Sequence, residues 1–254
     1  MNWLKAKSRS GGDCCFGTWG KIPALETVEM LGRAGFDFIV IDMEHAPHSL
    51  QTAYQGIVQA QAAGMAALVR MPDPSASLAQ KLLDAGADGL LIPRVEGAAM
   101  AREALKGMCF PPLGTRGMGY TSRAAMWGAD PVPAYLERGR TGITRITQLE
   151  DVGAIEEIEA ICETPGLDAV FIGFGDLMLS TGLGRTDPKI LALEQKVLTA
   201  AKARGLPVGT AVQTPKDALA ARDLGYGFVM VSADTTIFSI GARALTAELA
   251  AGSK

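Results

Sequence analysis

The stretch LLDAGADGLLIPRV, from Leu82 to Val95, reads as the end of a helix, a glycine and an apolar strand. Glycine at that point supplies a left-handed helix cap, and an apolar run without polar alternation reads as a strand buried on both faces. The same grammar recurs in LGRAGFDFIVID (Leu31–Asp42), AQAAGMAALVRMP (Ala60–Pro72), ETPGLDAVFIG (Glu163–Gly173), AKARGLPVGTAV (Ala201–Val212) and RDLGYGFVMVS (Arg222–Ser232). Helix, glycine and strand repeated along a chain is βα alternation, the pattern of a parallel sheet.

Counting outward from these segments places strands near 16–20, 36–42, 66–71, 88–93, 142–149, 168–173, 206–212 and 227–232. Amphipathic stretches lie between most of them. In 24–34, Leu25, Val28 and Leu31 recur at helical spacing, with Pro23 near the start and Gly35 at the end. Eight strands within 254 residues suit one TIM (βα)8 barrel spanning 1–254 as a single domain. A doubly wound sheet is the rival architecture, but no G-x-G-x-x-G follows the first strand. One connection is long, from Phe110 to Arg140, and its Gly and Pro content argues against a simple helix. Loops of that length tend to be lids, binding segments or subunit contacts. The segment from Phe238 to Lys254 reads as a last helix.

Hydrophobic residues make up 48% of the chain, enough for a large core, and the formal charge of -3 offers no broad basic field. Nucleic acid and anionic membrane are therefore set aside as partners in favour of a small molecule. No apolar run approaches the roughly 18 residues that cross a bilayer, and the N-terminal MNWLKAKSRSGG is polar, so a cytoplasmic location is expected. Cys14, Cys15, Cys109 and Cys162 show no C-x-x-C spacing and read as idle thiols.

Both histidines fall in FIVIDMEHAPHS, Phe38 to Ser49. A TIM barrel collects its chemistry at the C-terminal ends of its strands, and this segment follows the second strand. Asp42, Glu44 and His45 are therefore site candidates, whereas His48, beside the cap-like Ser49, reads as solvent-facing or structural. The same scan adds Arg70 after strand three, Gln148 and Glu150 after strand five, and Asp176 after strand six. Two acids on neighbouring strands, with no histidine or cysteine beside them, form a hard oxygen site suited to a divalent ion. Each residue also has a plain reading. Arg70 pairs with a barrel carboxylate, Glu150 and Asp151 are solvated loop charge, and Asp176 caps a helix. Their concurrence at strand ends favours function.

The blocks GFDFIVIDMEHAPHS, VRMP, KLLDAGADGLLIPRVE, FPPLGTRGMG, ITQLED and DAVFIGFGDL occur here in one order across nearly the whole chain. In that order the sequence resembles the HpcH/HpaI aldolase family, and within it the metal-dependent class II pyruvate aldolases, which include 4-hydroxy-2-oxoheptanedioate aldolase. The resemblance implies a (βα)8 barrel whose last helix is exchanged between neighbours, in homo-oligomers, commonly hexamers. It implies Glu150 and Asp176 as ligands of a divalent metal (Mg²⁺, Mn²⁺ or Co²⁺) and Arg70 as the residue binding the keto or enolate oxygen. It implies His45 with Asp42 as a proton-handling dyad, Gln148 as a polar substrate contact, and Asp84 as a residue reaching a neighbouring subunit's site. Backbone N–H groups around Gly175 and Asp176 are implied to hold the substrate carboxylate. Many relatives carry Pro-Ala where this chain has Phe174-Gly175, a departure that bears on the carboxylate pocket and not on Asp176.

The implied reaction interconverts a 4-hydroxy-2-oxo acid with pyruvate and an aldehyde through a metal-bound enolate, with His45 moving the hydroxyl proton. A Schiff-base route needs a lysine at an interior strand end, and only Lys21, just beyond strand one, comes near. A CoA-thioester lyase of the citryl or malyl kind is an alternative, as is a retired barrel serving as an assembly subunit. Arg116 and Arg123 in the long connection are candidates for binding an acidic tail of the aldehyde half.

Overall fold

The structure, a computed structural model, describes residues 2–4 and 14–252. Most of the polar N-terminal segment, with Ser253 and Lys254, lies outside the described residues. Eight parallel strands close a barrel in chain order: β1 (Cys15–Gly20), β2 (Phe38–Asp42), β3 (Ala66–Arg70), β4 (Gly89–Ile92), β5 (Thr144–Leu149), β6 (Ala169–Ile172), β7 (Val208–Val212) and β8 (Phe228–Ala233). The helices between and after them are α1 (Leu25–Arg33), α2 (Leu50–Ala62), α3 (Ala76–Asp84), α4 (Ala98–Met108), α5 (Val132–Thr141), α6 (Val152–Glu156), α7 (Ile158–Cys162), α8 (Phe174–Thr181), α9 (Pro188–Ala203), α10 (Pro215–Asp223) and α11 (Asp234–Gly252). The expected TIM barrel is the fold that forms. No helix among the described residues is long and apolar enough to cross a membrane.

Gly35, Gly64, Gly86, Gly166, Gly205 and Gly225, the glycines of the repeated grammar, all have positive φ, between 64° and 99°. Each turns the chain from a helix end into the next strand, in a conformation that costs an L side chain energy. Three strands start later than the apolar pattern alone suggests, because an aspartate stands just before them. Asp37 donates its N–H to the Phe16 carbonyl (2.8 Å), while its carboxylate accepts the Phe16 N–H (2.9 Å). Asp88 makes the same reciprocal clasp with Ala67, at 2.9 and 2.8 Å, and Asp168 makes it with Arg145, at 2.9 and 3.1 Å. The G-x-D signature thus fastens each incoming strand to its neighbour.

Side chains alternate along each strand between barrel interior and helix layer. Phe38, Phe171 and Phe228 fill the interior, with ring centroids 6.2 Å apart for Phe38–Phe228 and 6.3 Å for Phe171–Phe228. Glycine is required beside them: a Cβ on Gly17 would stand 2.5 Å from the Phe38 ring, and one on Gly209 2.2 Å from the Phe228 ring. Ile39, Ile41, Val69, Leu90, Leu149 and Ile172 face outward into the helix layer.

The long connection joins the end of α4 to the start of β5 and so lies at the N-terminal end of the barrel. It carries a 3₁₀ helix (Arg123–Gly128) and α5, pinned by Phe110 against Tyr135 at 5.4 Å. Of the three roles open to a loop of that length, a lid over this barrel's own mouth does not fit, because the mouth is at the other end. Its tip leaves Met126 and Trp127 exposed.

Candidate active site

The interior alternation of Phe38 and Val40 on β2 continues to Asp42, that of Leu68 on β3 to Arg70, and that of Ile146 on β5 to Gln148 and then Glu150. At the C-terminal mouth the core pattern thus turns polar without changing register. Asp42 and Arg70 are register partners, and both are buried. The Arg70 guanidinium donates to both Asp42 oxygens, Nε at 2.9 Å and Nη2 at 2.7 Å. It also lies 4.2 Å from the Trp19 ring centroid, while its Nη1 is 3.3 Å from Glu44 Oε2. Lys21 Nζ pairs with the same Asp42 carboxylate, and its segment is fixed by Asp234, which accepts the N–H groups of Lys21 and Ile22. Burial opposes a charge on Asp42, but Arg70, Lys21 and the His45 N–H outweigh it and hold its carboxyl below the usual carboxylate range.

His45 meets Asp42 through its backbone: its N–H, like that of Glu44, donates to Asp42 Oδ1 at 3.1 Å. The imidazole is exposed, with Nε2 3.7 Å from Glu44 Oε2. A ring-to-carboxylate dyad of His45 with Asp42 is therefore not formed within this chain, because the two cations occupy the carboxylate. His48 is half-buried, with Nδ1 3.3 Å from Thr52 Oγ1, in keeping with a structural role.

Glu150 is buried and accepts the Arg94 N–H at 2.6 Å on Oε1, while Oε2 accepts from the Gln148 side-chain amide. Burial raises its pKa, and the nearby Asp176 and Glu44 carboxylates raise it further. The other Gln148 amide atom, Oε1, is buried with no hydrogen-bond partner among the described residues. Gly173 leaves room for this cluster, since a Cβ there would stand 3.0 Å from both Gln148 Nε2 and Glu150 Oε2. Asp176 follows on the exposed first turn of α8, whose N-cap Gly173 makes no side-chain cap. The first N–H groups of a helix have no intrahelical acceptor, so those of Gly175 and Asp176 are available to an anion. A divalent cation fits this donor set: the Asp176 carboxylate adds to the cost of ionising buried Glu150, beside a Gln oxygen that lacks a partner among the described residues. Among the described residues no group of three or more His, Cys, Asp or Glu is gathered for a metal.

Asp84 is the last residue of α3, five residues before β4 begins, and so stands at the N-terminal end of the barrel, away from this mouth. Arg116 is buried against it (2.8 Å) and stacks on Phe110 (4.5 Å), while Arg123 donates to the Ala85 carbonyl at 3.3 Å. None of the three reaches this chain's own site. No disulfide forms among the described residues, and burial pushes the Cys14 thiol up to about 12 and the Cys162 thiol to about 11.

Sequence reasoning gave no role to Lys21 or Arg94 and left Glu44 as a bare candidate. Lys21 follows Trp19 by two, the interior step of β1, a signal that was present. Arg94 carried none: it lies past β4 with φ 50°, its side chain 64% exposed, its Nε 3.4 Å from Glu44 and its Nη2 2.9 Å from the Pro72 carbonyl.

The model of the HpcH/HpaI aldolase/citrate lyase family matches residues 18–240. The chain is similar to 5-keto-4-deoxy-D-glucarate aldolase of Salmonella arizonae, 34% identical over 231 residues that cover 90% of each protein. It is similar to 2-dehydro-3,6-dideoxy-6-sulfogluconate aldolase of Pseudomonas putida, 32% identical over 235 residues, 92% of this chain and 91% of that one. Among solved structures it resembles a HpcH/HpaI aldolase/citrate lyase family protein from Burkholderia cenocepacia J2315, with TM-score 0.89, 32% identity, and coverage of 98% of this chain and 99% of that chain. On a match of this extent, with named aldolases at about a third identity, the chain belongs to the HpcH/HpaI aldolase/citrate lyase family and is a lyase of the aldolase kind.

Proposed function

We propose that this protein is a class II pyruvate aldolase that cleaves or forms 4-hydroxy-2-oxo acids, with pyruvate and an aldehyde as the other side of the reaction. The observation that carries the reading is that Glu150, raised in pKa by burial and by Asp176 and Glu44, shares one barrel mouth with the Arg70 guanidinium, which lies 3.3 Å from Glu44. Glu150 and Asp176 would hold the divalent ion, Mg²⁺, Mn²⁺ or Co²⁺, which when bound supplies Lewis-acid polarisation of the 2-oxo group. The α8 N–H groups of Gly175 and Asp176 bind the substrate carboxylate, and Gln148 contacts the substrate beside it. Arg70, fixed by Asp42 and Trp19, faces the C2 oxygen and stabilises the negative charge that grows there.

In cleavage, the C4 hydroxyl gives up its proton, the C3–C4 pair becomes the C2–C3 double bond of an enolate, and C4 leaves as the aldehyde carbonyl. Protonation at C3 then yields pyruvate. In this reading His45, whose backbone is anchored on Asp42, accepts the hydroxyl proton directly or through a water. Asp84 can serve this chemistry only in a neighbouring subunit's site, which fits a homo-oligomer, a hexamer in our reading. The exposed apolar side chains Ile237, Phe238, Ile240, Leu245 and Leu249 support the exchange of α11 between subunits.

The test is pyruvate release from a panel of 4-hydroxy-2-oxo acids by chelated protein, with and without added Mg²⁺ or Mn²⁺. Metal should restore release in the native protein, and Glu150→Gln should lose about 100-fold or more. Release that ignores chelation and Glu150→Gln alike would overturn the reading.

A further inference from the structure

The turn that carries Gly175 and Asp176 has little rigidity of its own. Its first helical residue is Phe174, which lacks the fixed φ that proline brings to that position. Gly175 follows, with nothing within 4 Å of where its Cβ would be, so neither side-chain packing nor Cβ sterics restrain it. No side chain caps the helix, and Gly182, at φ 70°, ends it after eight residues. Yet the proposed reaction needs the two N–H groups and the Asp176 carboxylate fixed in relation to Arg70 and Glu150.

What restrains the turn comes from behind it. The Phe174 ring is buried, and the Arg185 guanidinium lies over it, 3.8 Å from the centroid. Arg185 sits in the link between α8 and α9, and its Nη2 donates to Glu194 Oε1 at 2.6 Å. The same oxygen accepts the Tyr226 hydroxyl at 2.6 Å. Glu194, on α9, and Tyr226, just before β8, are both buried. A carboxylate buried on an outer helix is costly to place, and here its partners are these two residues. The guanidinium is thereby held over the ring by Glu194, itself fixed by Tyr226.

We propose that Arg185, braced by Glu194 and Tyr226, is a positioning residue: through Phe174 it holds the first turn of α8 in the geometry that binds the substrate carboxylate. The inference rests on the aldolase reading for its functional consequence. Its structural half stands apart and can be read in metal-free protein.

The test uses Arg185→Ala, Arg185→Lys, Phe174→Pro and the Phe174→Pro/Arg185→Ala pair in the full chain. Proline presets φ, removes the ring that Arg185 covers, and takes away the Phe174 N–H, which binds nothing in the reading above. Two quantities are measured: kcat and KM for a cleaved 4-hydroxy-2-oxo acid with metal added, and hydrogen exchange of the 177–181 amides without metal. Arg185→Ala should raise KM about tenfold with kcat changed less than about threefold, and should speed exchange in α8. Arg185→Lys, which keeps the charge on Glu194 and loses the planar stack, should resemble it. In the Phe174→Pro background the same Arg185→Ala change should do little in either assay. An unchanged KM and exchange rate in Arg185→Ala would overturn the proposal, as would an equal effect of that change in the native and Phe174→Pro backgrounds. If the native protein releases pyruvate from no 4-hydroxy-2-oxo acid, the aldolase reading falls, and the exchange comparison by itself decides whether the clamp exists.

Discussion

Asp42 and Arg70 stand opposite each other on β2 and β3, and the guanidinium of one meets both carboxylate oxygens of the other, at 2.9 and 2.7 Å. The arrangement follows from parallel register alone, since each is the last residue of its strand and the strands pair there. It presents Arg70 toward the mouth with its guanidinium over the Trp19 ring. Asp42→Asn leaves a buried guanidinium and the Lys21 ammonium without their shared anion, and is expected to cost about 3 kcal/mol in urea unfolding. Arg70→Lys keeps the charge but loses the two-point contact and the stack. It should cost about 100-fold in pyruvate release with a small change in Tm. A midpoint unmoved by Asp42→Asn would show that the pair is not what organises this end of the barrel.

Lys21 is the lysine that a Schiff-base mechanism would have to use, because its amine reaches the interior mouth. It is engaged there as the second cation on Asp42. An amine held in that ion pair is not free to attack a carbonyl. Borohydride added with pyruvate should therefore leave the protein mass unchanged. A reduced pyruvate adduct on the peptide containing Lys21 would reverse the assignment of mechanism.

Arg94 is a left-handed residue that is not glycine, with φ 50°, and its N–H is a donor to buried Glu150. Strain of that kind persists where the surroundings hold it in place. Arg94→Gly keeps the N–H and relieves the backbone, so stability should hold or rise by about 1 kcal/mol. Arg94→Pro removes the donor and demands a negative φ, and should cost about 3 kcal/mol or more. Thermal unfolding of the two variants separates the backbone from the guanidinium. Equal losses in both would mean that the side-chain contacts with Glu44 and Pro72, not the N–H given to Glu150, carry the stability.

Most of the barrel was legible because the physics that builds it is local. Helix-ending glycines such as Gly86 and unbroken apolar runs such as Gly89–Ile92 reappear at each turn of the repeat. Asp42, Arg70, Gln148 and Glu150 were legible for a related reason, since each extends the interior alternation of a strand by one step. What the sequence hid depends on distance along the chain. The Arg185–Glu194–Tyr226 contacts join residues from three segments, and the position of the long connection at the far end of the barrel follows only from which helix end it leaves. The resemblance pairs His45 with Asp42, but within this chain their contact runs through the His45 backbone, and the carboxylate is held by Arg70 and Lys21, which reach it from the ends of other strands.

His48 provides a test of the structure by pH. Burial lowers its pKa, offset in part by the Gly20 backbone and by the charges of Asp234 and Asp42 that face it. The unfolded chain then binds a proton near the ordinary histidine pKa of about 6.5, where the folded protein does not, so stability rises with pH across that range. The contribution is complete above the unfolded value and is lost as pH falls through the lower folded value. Urea midpoints of the native protein should therefore drop more between pH 7.5 and pH 5 than those of His48→Gln, about as far as one shifted histidine allows. Carboxylates titrate alike in both proteins, so the difference between the two drops isolates the ring. Equal drops would place His48 in water rather than against the Gly20 backbone.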